Sequence, residues 1–565
     1  MHSNTSRRTF VKGLAAGGLL GGLGLWRTPV WAVTSPGEPQ VLAGTDFDLF
    51  IGETPVNITG NPRTAMTING GIPGPLLRWR EGDTVTLRVK NKLNANTSIH
   101  WHGILLPANM DGVPGLSFHG IEPDGMYVYQ FKVRQNGTYW YHSHSGFQEQ
   151  SGVYGPLVID AKEPEPFQYD RDYVVMLTDW TDEDPVSLMK TLKKQSDYYN
   201  YNKPTVGDFI HDVSEKGWGS TVADRKMWAE MKMNPTDLAD VSGATYTYLM
   251  NGQAPNSNWT GVFRPGEKLR LRFINGSAMT YFDVRIPGLK MTVVAADGLH
   301  VKPVSVDEFR IAVAETFDVI VEPTEAAYTL FAQSMDRTGF ARGTLAAKAG
   351  LSAPVPPLDP RPLVTMDDMG MGGMDHGSMA GMDHSTMAMP GMQSHPETEK
   401  DNPLVDMQAM TTAPKLDDPG LGLRNNGRRV LTYSDLRSTF EDPDGRDPSR
   451  TIELHLTGHM EKFAWSFNGV KFSDAEPVRL KYGERVRVVL VNDTMMTHPI
   501  HLHGMWSDLE DENGEFMVRK HTIDMPPGSR RSYRVTADAL GRWAYHCHLL
   551  YHMEMGMFRE VRVEE

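Results

Sequence analysis

The sequence predicts an all-β protein of three β-sandwich domains, with a partly helical insertion in the middle one. Two observations carry this. Short runs of alternating apolar and charged residues recur through 565 residues that include 54 Gly and 37 Pro, as expected of half-buried antiparallel strands joined by turns. One strand pattern also occurs three times, as Gly82-Asp-Thr-Val85-Thr-Leu87-Arg-Val89, Gly266-Glu-Lys-Leu269-Arg-Leu271-Arg-Phe273 and Gly483-Glu-Arg-Val486-Arg-Val488. Repeats of this kind mark duplicated structural units, and a chain of this length outgrows a single core.

Taken in order, residues 1–32 read as an export signal. Ser6-Arg7-Arg8-Thr9-Phe10-Val11-Lys12 precedes a Gly- and Leu-rich stretch from Gly13 to Trp26 and a small-residue site at Val30-Trp31-Ala32, the arrangement of a twin-arginine signal. The apolar stretch is glycine-rich and shorter than the roughly 20 residues a spanning helix needs. The expectation is therefore export through the twin-arginine machinery, a periplasmic location and no membrane anchor in the mature form.

Residues 40–163 are the first sandwich and 170–350 the second. The second is interrupted at about 189–240 by a segment with a helix-like run from Ala223 to Met233, whose Met residues at i and i+4 suit a packed helix face. Residues 351–425, opened by Pro354, Pro356, Pro357, Pro360 and Pro362, read as a flexible segment, and 426–565 as the third sandwich. The net charge of −14 without a large basic block argues against nucleic acid as a partner.

The chemistry is concentrated in histidines and one thiol. Four His-x-His motifs occur: His100-Trp101-His102, His142-Ser143-His144, His501-Leu502-His503 (preceded by His498) and His546-Cys547-His548. On a strand, residues i and i+2 share a face, so each pair can offer two imidazoles to one cluster. Cys547, the only cysteine, faces the other way, with His552 and Met557 close behind it. Thiolate, imidazole and a weak thioether are the donors of a blue copper centre. A structural zinc site is usually built from several Cys, or from Cys and His closing a tetrahedron.

These four motifs, in this order and spacing, resemble those of the multicopper oxidases, which reduce dioxygen to water at a three-copper cluster. The resemblance implies Greek-key domains of the cupredoxin-like type and four coppers. Carried over position by position, it implies that His498, Cys547, His552 and Met557 bind the type 1 copper. It implies that His100 and His501 bind the type 2 copper, that His102, His142 and His548 bind one type 3 copper, and that His144, His503 and His546 bind the other. Asp111, in a turn after the first pair, stands where the family keeps a carboxylate that feeds protons to oxygen. The middle repeat has Tyr281-Phe-Asp-Val-Arg in place of histidines.

The run from Met366 to Met392 holds 9 of the chain's 33 Met in 27 residues. Thioethers select Cu(I) and lose no proton on binding it. Met366, Met369, Met371, Met374, His376, Met379, Met382, His384, Met387, Met389 and Met392, with Met496 beside His498, are the candidate Cu(I) ligands. Within the family, this segment resembles the copper-resistance branch. The expected reaction is oxidation of Cu(I) by O2, with laccase-like oxidation of phenolic donors, or simple copper sequestration, as alternatives.

Overall fold

A computed structural model describes residues 40–372 and 392–565. The export signal, and Met374, His376, Met379, Met382, His384, Met387 and Met389, lie outside the described residues. Among those described, the strands make six sheets that stack as three sandwiches. The second and third domains share one topology, a six-stranded sheet over a five-stranded one with the same strand order, and the first is a shorter version of it.

The three repeated strands are Thr84–Asn91, Leu269–Asn275 and Arg485–Asn492. Each pairs in parallel with the first long strand of its own domain. Each also ends on a buried Asn whose side-chain amide donates to two backbone carbonyls of the loops that follow. Asn91 bonds the carbonyls of Ala95 and Ile121, Asn275 those of Thr280 and Ile311, and Asn492 those of Met496 and Met525. Buried carbonyls need such partners, and these bonds fix the entry of the next strand, the one that carries histidines in the outer domains.

Those strands are His100–His102, paired with Gly137–His142 so that His100 stands opposite His142, and His498–Leu502, paired with Gly541–Cys547 so that His501 stands opposite His546. In the middle domain Phe282 pairs with Ser334 at the corresponding place, and that domain serves as a brace. Asp318 accepts from Thr138 of the first domain at 3.0 Å and from Arg270 at 2.6 Å. Toward the third domain, the buried Lys520 ammonium lies 3.0 Å from both Asp297 and Glu315.

Two boundaries differ from the sequence reading. The insertion fills the whole span between strands ending at Thr181 and beginning at Tyr246, and holds three helices, Pro185–Lys194, Val206–Lys216 and Trp218–Met231. The last begins earlier than the expected 223 because the polar turn at its start is still helical. The described parts of 351–425 are no free tether. Val364, Met369, Met407, Leu416 and Leu423 are buried, so scattered apolar residues among the Pro and Gly pin the strap to the surface of the domains.

The repeated Asn gives an internal control. Asn492→Ala and Asn275→Ala should each cost about 1–3 kcal/mol by orphaning two carbonyls, measured by denaturant unfolding. Copper content should fall only for Asn492→Ala, and an equal fall in both would contradict the positioning role.

Candidate metal centre

The histidine strands of the first and third domains face one another, with His100 stacked on His503 and His102 on His501. Buried ring nitrogens without any hydrogen-bond partner point into the gap: His100 Nε2, His102 Nδ1, His142 Nε2, His501 Nε2 and His548 Nε2. Beside them, His546 Nε2 lies 3.0 Å from His503 Nε2 and 3.3 Å from His144 Nε2. Eight imidazoles thus present one nitrogen each to a common space.

Their outer nitrogens are tied down. His501 Nδ1 donates to the His521 carbonyl at 2.6 Å and His546 Nδ1 to the Cys547 carbonyl at 2.8 Å. His142 Nδ1 lies 2.6 Å from the Glu149 carboxylate. Asp111 spans the domain boundary: its carbonyl takes His100 Nδ1 and its carboxylate takes His503 Nδ1, both at 2.8 Å. His102 is turned the other way round, with Nε2 at 3.2 Å from His521 Nδ1, so its Nδ1 is the inward atom. Such outer bonds fix tautomer and ring orientation in metal ligands.

Burial, reinforced by neighbouring imidazoles, pushes the pKa values of His102, His501, His503 and His548 well below the ordinary histidine range, and burial takes His546 down to about 3. In these five rings burial thus favours the neutral form. Converging imidazole nitrogens repel through their lone pairs, and bound cations would satisfy that arrangement.

A second cluster lies behind Cys547. Its sulfur is 3.6 Å from His498 Nδ1 and 3.9 Å from His552 Nδ1, and those two nitrogens are 3.2 Å apart. Met557 is fully buried, and its backbone is hydrogen-bonded to both Cys547 and His552. Burial holds the thiol well above its usual range, so a bound cation must displace its proton. Trp465 stacks on His552 with ring centroids 3.9 Å apart. One thiolate, two imidazoles and a nearby thioether suit copper.

Side chains in direct contact with the candidate ligands that the sequence reading missed include Thr494, 2.7 Å from His498 Nε2, and Glu149, His521 and Asp240, whose carboxylate accepts from His552 Nε2 at 2.6 Å. None belongs to a periodic motif; Glu149 follows His144 by five residues, and Asp240 closes the helical insertion. Of the candidate Cu(I) ligands, Met366 and Met371 are partly buried, Met369 and Met496 fully so, and Met392 is 41% exposed.

Models of multicopper oxidase domains match residues 51–164, 171–349 and 445–565. The chain is a multicopper oxidase. Copper is therefore its cofactor, and the chain is an oxidoreductase. It is 80% identical, over the whole of both chains, to a copper resistance protein A homolog of Pseudomonas syringae pv. tomato. It is 74% identical, over 99% of each, to copper resistance protein A of Escherichia coli. Among solved structures it resembles a laccase from Botrytis aclada, with a TM-score of 0.61 at 22% identity, covering 95% of this chain and 89% of that one; this likeness speaks to the fold.

Glu149→Gln keeps the shape of the side chain but replaces the carboxyl group 2.6 Å from His142 Nδ1 with an amide, a weaker partner for orienting the ring. It should weaken copper retention about 10–100-fold, read by competition with a chelator. Unchanged retention would show that Glu149 does not support the site.

Proposed function

We propose that this multicopper oxidase serves copper resistance in the periplasm, oxidising Cu(I) to Cu(II) and reducing O2 to water. In this reading His498, Cys547, His552 and Met557 hold the type 1 copper and His100 and His501 the type 2. His102, His142 and His548 hold one type 3 copper, and His144, His503 and His546 the other. Bound copper supplies one-electron redox chemistry and a place for dioxygen. Export by the twin-arginine route belongs to the same reading. Among the described residues no helix is long and apolar enough to cross a membrane.

The protein's own groups provide the rest. Cys547 is bonded directly to His546 and His548, and its carbonyl accepts from His546 Nδ1, so a covalent route and a hydrogen-bonded one join the two clusters. Reduction of dioxygen to water consumes four protons with the four electrons. Asp111, buried and in contact with His100 and His503, is the carboxylate suited to hold and pass them.

The observation that carries the choice of Cu(I) is the surroundings of His552. Its outer nitrogen meets the Asp240 carboxylate, and a cleft beside that loop is lined by Met233, Met460, Asp197, Asp237 and Glu461, together with Lys194 and Lys232. The thioethers suit a soft cation and the carboxylates add negative charge that draws any cation in, whereas a phenol pocket would be lined mainly by apolar and aromatic groups. The Met-rich segment adds further thioethers for gathering Cu(I) from solution.

Oxygen uptake by the copper-loaded protein, with Cu(I) and a phenol supplied separately, tests this. Fast uptake with Cu(I), abolished by Cys547→Ser, is expected. Uptake with the phenol alone would favour a laccase-like role, and Cys547-independent copper binding without uptake would leave sequestration. Asp111→Asn should lower the Cu(I)-driven rate about 10²–10⁴-fold. Electron entry should survive in that variant, seen as bleaching of the blue colour when Cu(I) is added without oxygen.

A further inference from the structure

Away from both clusters, four buried side chains converge where the strap returns to the third domain. His395 and Glu399 follow the Met- and His-rich segment in sequence. His455 stands on the strand Arg450–His459, and Asp493 lies five residues before His498. His395 Nδ1 is 3.2 Å from Asp493 Oδ2 and 3.4 Å from Glu399 Oε2. His455 Nδ1 is 2.6 Å from the same Asp493 oxygen and 3.7 Å from Glu399 Oε1. The side chains of Glu399 and Asp493 are wholly inaccessible to solvent, that of His455 is 1% exposed and that of His395 16%.

The outer atoms are already committed. His395 Nε2 lies 3.0 Å from the Ala409 carbonyl, and His455 Nε2 lies 3.2 Å from Glu453. Glu399 Oε2 accepts from Gln408 at 2.9 Å and Asp493 Oδ1 from the Ala409 amide at 2.8 Å. A carbonyl can only accept, so His395 Nε2 carries a proton; against the opposing effect of burial, the Asp493 and Glu399 carboxylates hold the ring's pKa up to about 10, so a cation bound at Nδ1 must displace a second proton. That Nδ1 and Glu399 Oε1 are both buried without a hydrogen-bond partner. As in the candidate copper clusters, the outer atoms are hydrogen-bonded and the inner atoms converge, which is how metal ligands are oriented; here the inner atoms form an ion-paired set, with His455 Nδ1 2.6 Å from Asp493 Oδ2, and a metal would take the place of its protons.

We propose that His395, His455, Glu399 and Asp493 form a further metal site that takes one Cu(II). Two imidazoles and two carboxylates without sulfur select against Cu(I), and among divalent ions this donor set favours Cu(II) over Zn(II). The site differs in chemistry from the methionines that precede it in the chain. Because His395 and Glu399 lie on the strap while His455 and Asp493 lie on the sandwich, an ion here joins the two. The proposal concerns binding of Cu(II) and stands apart from the choice of electron donor.

The test is Cu(II) titration of the copper-loaded protein, after removal of loose metal, beside His395→Gln and Glu399→Gln. All three keep the Met- and His-rich segment, so differences report the cluster alone. The wild type should take up one more Cu(II) than either variant at the same free concentration. Binding at this site should be at least ~10-fold weaker in the variants. The added signal in electron paramagnetic resonance should show two coupled nitrogens in the wild type and one in His395→Gln. Glu399→Gln retains the size of the side chain and carries the test if His395→Gln does not fold. Equal uptake by all three proteins would leave only a proton-bridged ion-pair cluster and overturn the proposal. Equimolar Zn(II) displacing the added Cu(II) would overturn the assignment of the ion.

Discussion

The structure depends on holding eight imidazoles in one desolvated space between two domains. Six of the rings have given their outer nitrogen to a carbonyl, a carboxylate or a neighbouring ring, and the inner nitrogens of all eight face one another. Left without cations, the arrangement repels itself and leaves buried polar atoms unpaired, which is costly in a low-dielectric interior. The fold must therefore enforce it from outside. The three Asn amides that fix the strand entries do so within each domain, and Asp111 does so across the boundary, by holding one histidine from each side. The middle domain, which lacks the histidines, clamps the first through the buried Thr138–Asp318 hydrogen bond and the third through the buried ion pairs of Lys520. Such pairs add little net stability but lose a great deal when broken, so they favour one relative position of the domains.

The alternation of a β-strand does the chemical work in the third domain. His546 and His548 face the shared space while Cys547, between them, faces the separate cluster with His498 and His552. Two sites of different character are thus built into three consecutive residues. The thiolate cluster lies against Trp465 and the core. The imidazole cluster lies at the domain boundary, where His144 is the least buried of its ligands.

Much of this was legible in the sequence, because strand periodicity converts His-x-His directly into shared direction and because three repeats reveal three domains. What stayed hidden has a common cause. Glu149, His521 and Asp240 come from loops and strand ends, where no period ties sequence to orientation, and they reach the ligands only through tertiary folding. The inverted ring of His102 likewise depends on His521, more than 400 residues away in the chain. The strap misled for a different reason: Pro and Gly announce the absence of regular structure, but residues such as Met369 and Leu416 still bury themselves. The same strap brings His395 and Glu399 to the third domain, where loose composition gives no hint of convergent side chains.

The central claim is that the converging nitrogens and the single thiol hold copper in two linked sets. Anomalous diffraction from crystals of the copper-loaded protein, measured on both sides of the copper absorption edge, tests it most directly. The account predicts one strong copper peak among Cys547, His498 and His552, and three more enclosed by the eight imidazoles of the first and third domains. Absence of copper from the space between those domains, with peaks confined to the methionine-rich segment, would contradict it.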